Sequence, residues 1–226
     1  MKRRSVLMAG LAGIGGGVVT AFLRPKRLHA AAQLLLDPGL EPPFESPVFA
    51  KPEPWAEKLI AAAVQQIGVT RRYDPTYTKL SYPLGDVPRD RGVCTDVVIR
   101  AYRDGLGIDL QQAVHEDMRA AFAAYPKNWG LKRADPNIDH RRVPNLQTFF
   151  KRRGATRHVS TVAADYRPGD VVSQMLTGNL PHILIVSHRA NADGSRPLVI
   201  HNIGAGTHSA DSLFNYEITG HYRFFG

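Results

Sequence analysis

Apolar residues recur at helical spacing through the first two thirds of the chain. In the first such segment Leu59, Ile60 and Ala63 share one face, with Pro54 before the segment and Gly68 after it. Proline at the first position and glycine past the last are typical of a helix. The pattern predicts four helices, at Trp55–Ile67, Cys94–Asp104, Asp109–Ala124 and Val143–Arg153.

The pattern changes in the last third of the chain, where short apolar runs are separated by turn residues. These runs predict strands at Asp170–Gln174, His182–Ser187, Leu198–Asn202 and His221–Phe225. Helices followed by a strand meander indicate an α+β domain, with N-terminal helices packed on a C-terminal antiparallel sheet. We place this single domain at residues 54–226. Residues 33–53 contain five prolines and are predicted to be an extended arm or linker.

Residues 1–32 have the organisation of an export signal. The basic start Lys2–Arg4 precedes an apolar run, Met8–Leu23, and Ala30–Ala32 fits a cleavage site. The arginine pair indicates the twin-arginine route. The apolar run is shorter than the roughly 20 residues that span a bilayer. We therefore expect export to the periplasm or cell envelope, with no stable membrane span after cleavage. An uncleaved N-terminal anchor is the alternative.

The signal also accounts for most of the positive charge. The chain has a formal net charge of +9, but residues 1–32 hold six of the 29 Lys and Arg residues and none of the 20 Asp and Glu residues. The remainder therefore carries only +3, which does not indicate nucleic-acid binding. This mild charge is compatible with work near anionic polymers of the envelope.

The only cysteine, Cys94, stands where a small-residue turn leads into the second predicted helix. Unpaired backbone N–H groups and the helix dipole favour a thiolate at that position, and the thiolate is the nucleophilic form. A small buried hydrophobe is the alternative role for a lone cysteine. A single cysteine cannot form an internal disulfide, so its presence in an exported chain favours a functional role for the thiol.

Two histidines complete the candidate catalytic group. His182 begins one predicted strand and His201 ends the next, so pairing across the Arg189–Arg196 turn brings both near one sheet edge. A cysteine hydrolase needs a base beside the sulfur and a third group that orients the base. We predict Cys94 as nucleophile, His182 as base and His201 as the orienting group. Asn202 competes for the orienting role, although strand alternation sends it to the opposite face.

Further polar residues are candidates for supporting roles. The backbone N–H of Cys94, with the Tyr82 hydroxyl as a second donor, is a possible oxyanion hole. Asp96 complements the helix dipole or tunes the site. The cluster before the fourth helix is a candidate substrate site, above all for a carboxylate, or a solvated cap; it consists of Asp139, His140, Arg141 and Arg142.

No cofactor is expected. A metal hydrolase is the chemical rival, with a zinc triad of His182, His201 and either Asp139 or His140. The chain has no H-E-x-x-H motif or other closely spaced ligand pair, so we predict no metal site.

Over about residues 55–226 the sequence resembles a known bacterial family, the domain of unknown function 1287. The motifs that carry the resemblance are Pro83–Pro88, Gly92–Arg100, Asn137–Leu146, His201–Gly206 and Gly220–Arg223. That family is similar to the NlpC-type cell-wall peptidases, which are papain-like. The resemblance implies a papain-like fold in which a helix-borne cysteine meets a histidine on the sheet and a polar residue on the following strand. Cys94, His182 and His201 match those three positions.

The chain departs from the NlpC pattern at two places. Val93-Cys94-Thr95-Asp96 replaces the usual Asp-Cys-Ser-Gly, and Leu184 replaces the usual small residue two positions after the base. We therefore expect an exported cysteine hydrolase that cleaves an amide bond, with peptidoglycan stem peptides as the first substrate to consider. A non-catalytic envelope-binding module, and a deamidase or acyltransferase using the same triad, are the alternatives.

Overall fold

A computed structural model describes residues 47–226 of the chain. The predicted signal at 1–32 and the part of the predicted arm up to residue 46 lie outside the described residues. The helices are α1 (Pro54–Val64), α2 (Cys94–Leu106), α3 (Leu110–Ala120) and α4 (Val143–Arg152). The strands are β1 (Arg72–Tyr73), β2 (Arg91–Gly92), β3 (Val171–Leu176), β4 (Leu180–Ala190), β5 (Pro197–Asn202), β6 (Thr207–Ala210) and β7 (Glu217–Tyr222). Three 3₁₀ turns occur at Phe122–Ala124, Asp139–Arg141 and Ala163–Asp165.

The larger sheet has the strand order β6-β5-β4-β3-β7, and all its neighbours are antiparallel. Helices followed by an antiparallel sheet confirm the α+β prediction. The main differences from the predicted strands are at three positions of this sheet. β6 was not predicted, β4 is longer than the predicted 182–187, and the last strand is 217–222 rather than 221–225, because the Arg223 N–H turns to the Ala155 carbonyl. A separate two-stranded parallel pair, β1 with β2, stands just before α2.

Buried apolar residues form one cluster on each face of this sheet. Val97 and Val98 of α2 pack with Ile183 and Ile185 of β4 in the cluster that contains the helices. Leu184 belongs to the second cluster, together with Val186, Tyr166, Val172, Val199 and Leu213. Because successive strand residues point to opposite faces, the odd positions of β4 face the helices and the even positions face away.

Helix α2 is the centre of the helical layer. It packs closely on α1, where a Cβ at Gly105 would lie 2.6 Å from the Lys58 carbonyl oxygen, so only glycine permits this approach. Nine consecutive residues from the start of α2, Cys94–Tyr102, are buried. The first turn of α2 is therefore held between the sheet, α1 and the loops before it.

The described end of the predicted arm pairs with β4. The Phe49 N–H donates to the His188 carbonyl at 2.8 Å, and the Ala190 N–H donates to the Pro47 carbonyl at 2.6 Å. These bonds extend the sheet beyond the point where β3 ends its pairing with β4. Within residues 47–226, no helix is long and apolar enough to cross a membrane.

Candidate functional site

The first turn of α2 is built by a glycine and an aspartate. A Cβ at Gly92 would come within 2.9 Å of Asp96 Oδ2, so glycine lets the chain pass close to that carboxylate. The same oxygen accepts the Val93 N–H at 2.6 Å and caps the helix start. Cys94 is consequently fixed as the first residue of α2.

The Cys94 sulfur is buried, with 3 % of the residue exposed. The Ile183 N–H and the Tyr73 hydroxyl hydrogen-bond to it. Burial nevertheless raises the pKa of the thiol to about 11, and the nearby Asp96 carboxylate acts in the same direction. The sequence predicted a thiolate because of the helix start. Desolvation in this geometry acts against that prediction, because burial favours the neutral thiol.

The structure brings His182 and His201 together. His182 Nε2 lies 2.8 Å from His201 Nδ1, and each residue is 2 % exposed. Burial lowers the pKa of His182 to about 4 and that of His201 to about 3. Both rings are therefore neutral at pH 7. His208 of β6 adds a third ring, 4.7 Å from His201 between centroids, which the sequence analysis did not single out.

The strand register at this pair differs from the predicted one by two residues. Ile185 lies opposite Ile200, whereas pairing 182 with 201 requires Ile183 opposite Ile200. A shift of two residues keeps every side chain on its predicted face, because the side-chain period of a strand is two. His182 and His201 therefore still share a face, and their hydrogen bond runs diagonally between β4 and β5.

The sulfur and the histidine pair lie on opposite sides of one peptide group. The β4–β5 ladder ends where Ile185 lies opposite Ile200, which leaves the Ile183 N–H available to the Cys94 sulfur. That N–H belongs to the peptide that joins His182 to Ile183. By strand alternation the Ile183 side chain faces the helices while the His182 ring points to the other face. Cys94 thus approaches this peptide from the helix side and the histidine pair from the opposite side.

Asn202 holds the turn before the cysteine. Its Nδ2 donates to the Gly92 carbonyl at 3.0 Å, and its Oδ1 accepts the Gly204 N–H at 3.2 Å. The structure therefore places His201, not Asn202, against His182. Asn202 lies on the helix-facing side and links the end of β5 to the residues that lead into α2.

Asp96 and Arg141 form a buried ion pair behind the cysteine. Arg141 Nε and Nη2 each donate to Asp96 at 2.9 Å, and the Thr95 hydroxyl donates to the Arg141 carbonyl at 3.0 Å. Arg141 also donates to the carbonyls of Thr76 and Asp74, at 3.2 Å each. The guanidinium is thus occupied by the protein itself, and both residues anchor the first turn of α2.

The other residues of the predicted cluster have separate positions. Asp139 is buried, and one of its oxygens accepts the Asp135 N–H. His140 is buried as well, its Nδ1 has no hydrogen-bond partner, and burial lowers its pKa to about 4. Arg142 lies over the Trp129 ring at 4.0 Å. Of these three residues, Arg142 lines the cavity into which Cys94 opens.

This cavity has a volume of about 430 Å³. Besides Cys94 and Arg142 its lining includes Tyr73, Trp129 and Pro181. Ligand pockets generally span about 300–1,000 Å³, so the space suits a short peptide segment.

Tyr82 does not take part in this site. Its ring packs edge-on against His115 of α3, with the centroids 5.1 Å apart. The tyrosine beside the sulfur is instead Tyr73, which the β1–β2 pairing brings next to Gly92. The only signal for Tyr73 was the cluster of tyrosines between residues 73 and 82. We therefore replace Tyr82 by Tyr73 as the hydroxyl of the site.

Within residues 47–226 no group of three or more His, Cys, Asp or Glu side chains is arranged to hold a metal ion. The candidate site thus consists of a cysteine at a helix start and a cavity with two arginines on its wall, Arg141 and Arg142. The hydrogen-bonded histidine pair lies on the other face of β4 and is not part of the cavity lining.

These features define an α+β protein whose single cysteine begins the central helix and touches the strand that carries a histidine pair. Comparison with known proteins places most of this domain in one family. The chain belongs to the family described as "Domain of unknown function (DUF1287)", whose model matches residues 60–224. A relative from Escherichia coli (strain K12), "Uncharacterized protein YijF", is 58 % identical over 163 residues, which cover 72 % of this chain and 78 % of that protein.

Proposed function

We propose that this protein is an exported cysteine hydrolase that cleaves an amide bond. Cys94 is the nucleophile, His182 is the general base and His201 is the positioning residue. The observation that carries the proposal is the 2.8 Å hydrogen bond between His182 and His201, together with the contact of the Cys94 sulfur with the peptide that follows His182. The sulfur lies on the helix side of that peptide and the histidine rings lie on the other side, so the proposed proton transfer requires the His182 ring to turn towards the sulfur.

The tautomers follow from the hydrogen bonds. For His182 to receive a proton from the sulfur, its Nδ1 must be the acceptor, because Nε2 is engaged with His201. Nε2–H of His182 then donates to His201 Nδ1, and His201 carries its own proton on Nε2. That Nε2 is buried without a partner, so no other group competes for the orientation of the His201 ring.

The chemistry starts from a neutral pair. The thiol has a pKa of about 11 and His182 a pKa of about 4, so neither is ionised at pH 7. In the proposed step His182, with its ring turned to the helix side of β4, takes the thiol proton as sulfur attacks the carbonyl carbon, and returns it to the leaving amine when the amide bond breaks. The Cys94 N–H at the start of α2 stabilises the oxyanion. Water then hydrolyses the thioester, again with His182 as base.

The proposed substrate is a peptidoglycan stem peptide. Its support is the export signal that residues 1–32 indicate, and the similarity of the cysteine and histidine motifs to the papain-like NlpC-type peptidases. The helix-borne cysteine packed on an antiparallel sheet is compatible with that fold. A mild net charge of +3 after residue 32 also suits an anionic polymer.

One observation favours a second candidate, a non-catalytic envelope-binding module of the same fold. The buried, protonated thiol is less reactive than a thiolate and resembles a structural cysteine. A deamidase or acyltransferase using the same three residues is a variant of the first proposal.

The deciding experiment is digestion of purified peptidoglycan by the protein and by its Cys94→Ala variant, with mass spectrometry of the released fragments. The proposal expects new peptide fragments from the wild type alone. A mass change of about one dalton, or a transferred acyl group, would identify deamidation or acyl transfer instead. Equal fragment release by Cys94→Ala would overturn the assignment of the nucleophile, and binding without release by either protein would establish the binding module.

A further inference from the structure

Arg142 is one of two arginines on the wall of the cavity, and the other, Arg141, is paired with Asp96. The Arg142 guanidinium lies 4.0 Å above the Trp129 ring, a cation–π contact that fixes the plane of the side chain. One of its nitrogens, Nη1, lies 3.3 Å from Asp139 Oδ1. The side chain is 16 % exposed and lines the same cavity as Cys94.

The charge of Arg142 is only partly compensated. Its neighbour Arg141 makes two 2.9 Å bonds to Asp96 and two further bonds to carbonyl oxygens. Arg142 has one long contact with a carboxylate that also accepts the Asp135 N–H. Burial lowers the pKa of Arg142 below its ordinary value, and the nearby Asp139 and Asp135 carboxylates offset only part of that effect. An anion in the cavity would add to this offset.

We infer that Arg142 binds a carboxylate of the substrate, so that the cavity selects amide substrates with a free carboxylate near the bond that Cys94 attacks. This inference rests on the proposed function and names its substrate class. Stacking on Trp129 occupies a face of the guanidinium, and a guanidinium edge carries parallel N–H groups that match the two oxygens of a carboxylate. A lysine at this position would keep the charge and lose the fork.

The test measures binding and therefore does not depend on turnover. The full chain with Cys94→Ala and Trp55→Phe keeps Trp129 as the only tryptophan, because the sequence has two. Its fluorescence reports occupancy of the cavity beside it. The probe is a set of soluble peptidoglycan fragments in two forms, untreated and with their carboxylates converted to amides. Titration of each form gives two dissociation constants.

The same titrations are made with Arg142→Gln and Arg142→Lys in that background. Arg153→Gln is the matched control, since Arg153 also lies over an aromatic ring, Phe149 at 5.1 Å, but outside the cavity lining. Circular dichroism verifies that each variant is folded. If Arg142→Gln does not fold, Arg142→Lys and the comparison of the two probe forms on the unsubstituted arginine still decide the outcome.

A charge-assisted pair predicts that amidation and Arg142→Gln each weaken binding by about 10- to 100-fold. Both changes remove the same contact, so together they should weaken binding no further than either one does. Arg142→Lys should fall between, and Arg153→Gln should match the wild type. Equal affinity for both probe forms, purely additive losses or no binding of either form would overturn the inference. The proposed function would fail separately if the protein that retains Cys94 bound the fragments through their carboxylates but did not hydrolyse them.

Discussion

Arg141 donates two 2.9 Å hydrogen bonds to the Asp96 carboxylate, and this pair holds the first turn of the cysteine helix from a 3₁₀ turn 45 residues away in sequence. Asp96 is 3 % and Arg141 6 % exposed. The pair therefore anchors the helix turn that carries Cys94, and Cys94 itself lines the cavity. Because the ion pair acts by positioning the first turn of α2, its contribution can be measured without a substrate.

Removing one partner of this ion pair should destabilise the fold strongly. Asp96→Asn leaves the Arg141 charge buried without a counter-charge, at a cost of about 3–5 kcal/mol. Urea denaturation at pH 7 measures the change. Arg72→Met is the control, because the Arg72–Asp90 pair is exposed and its loss should barely move the midpoint. Equal midpoints for Asp96→Asn and Arg72→Met would show that the pair does not anchor α2.

The Tyr73 hydroxyl should control the reactivity of the thiol. Its hydrogen bond lowers the pKa of Cys94 against the larger effect of burial. In Tyr73→Phe that bond is lost, so the thiolate fraction at pH 9 should fall and alkylation by iodoacetamide should slow by about 2- to 10-fold. Tyr77→Phe is the control, since the Tyr77 hydroxyl bonds to Asp135 and Asn137. Faster alkylation of Tyr73→Phe would mean that the ring shields the sulfur rather than assisting it.

The helices were predictable because their signals are local. Periodicity and the glycine turn before Cys94 placed the cysteine at the start of α2, and the strand pattern placed His182 and His201 at strand ends. The environment of the sulfur was not predictable, because burial and the contact with Tyr73 depend on residues far apart in the chain. The pairing differs from the predicted register by four residues at Ala190 and by two at Ile185, on either side of an irregularity between Val186 and Ala190 that no periodicity reveals.

The supporting cluster shows the same limit. Arg141 and Arg142 are adjacent in sequence and were equivalent candidates for binding a carboxylate. Both line the cavity, but the structure separates their partners, because Asp96 from a distant helix binds Arg141 while Arg142 stacks on Trp129. Only these tertiary contacts give Arg141 a structural role and leave Arg142 as the candidate binding residue.

His140 should make the fold sensitive to acid. Its pKa is about 4 in the folded state against an ordinary value of about 6.5, because burial disfavours the charged ring. The unfolded chain therefore binds this proton first. The stabilisation is complete above pH 6.5 and is lost as the pH falls towards 4, by up to about 3 kcal/mol.

Urea denaturation of His140→Phe between pH 7 and pH 4 measures this effect. The variant should lose less stability on acidification than the wild type. His158→Gln, at an exposed position, is the control and should retain the wild-type slope. Parallel pH profiles of His140→Phe and wild type would show that His140 is not the group responsible.

The proposed mechanism makes a prediction about the pH dependence of hydrolysis. His182 must be neutral to act as a base, and burial keeps its pKa near 4. The value of kcat/KM for fragment release should therefore stay constant between pH 6 and 8 and decline only towards about pH 4. A decline centred near pH 6.5 would indicate a histidine with an ordinary pKa, and hence a different base or a solvated His182.

The last prediction separates the base from its positioning residue. His182→Ala removes the proton acceptor and should abolish hydrolysis, whereas His201→Ala removes only the ring that orients it and should leave a measurable kcat. His201→Asn supplies an amide oxygen as acceptor for His182 Nε2–H and should recover part of the loss. Asn202→Ala breaks the bond to Gly92 and should lower stability more than it lowers kcat. Full activity in His201→Ala, with loss in Asn202→Ala, would transfer the positioning role to Asn202 and to the helix-facing side of β5.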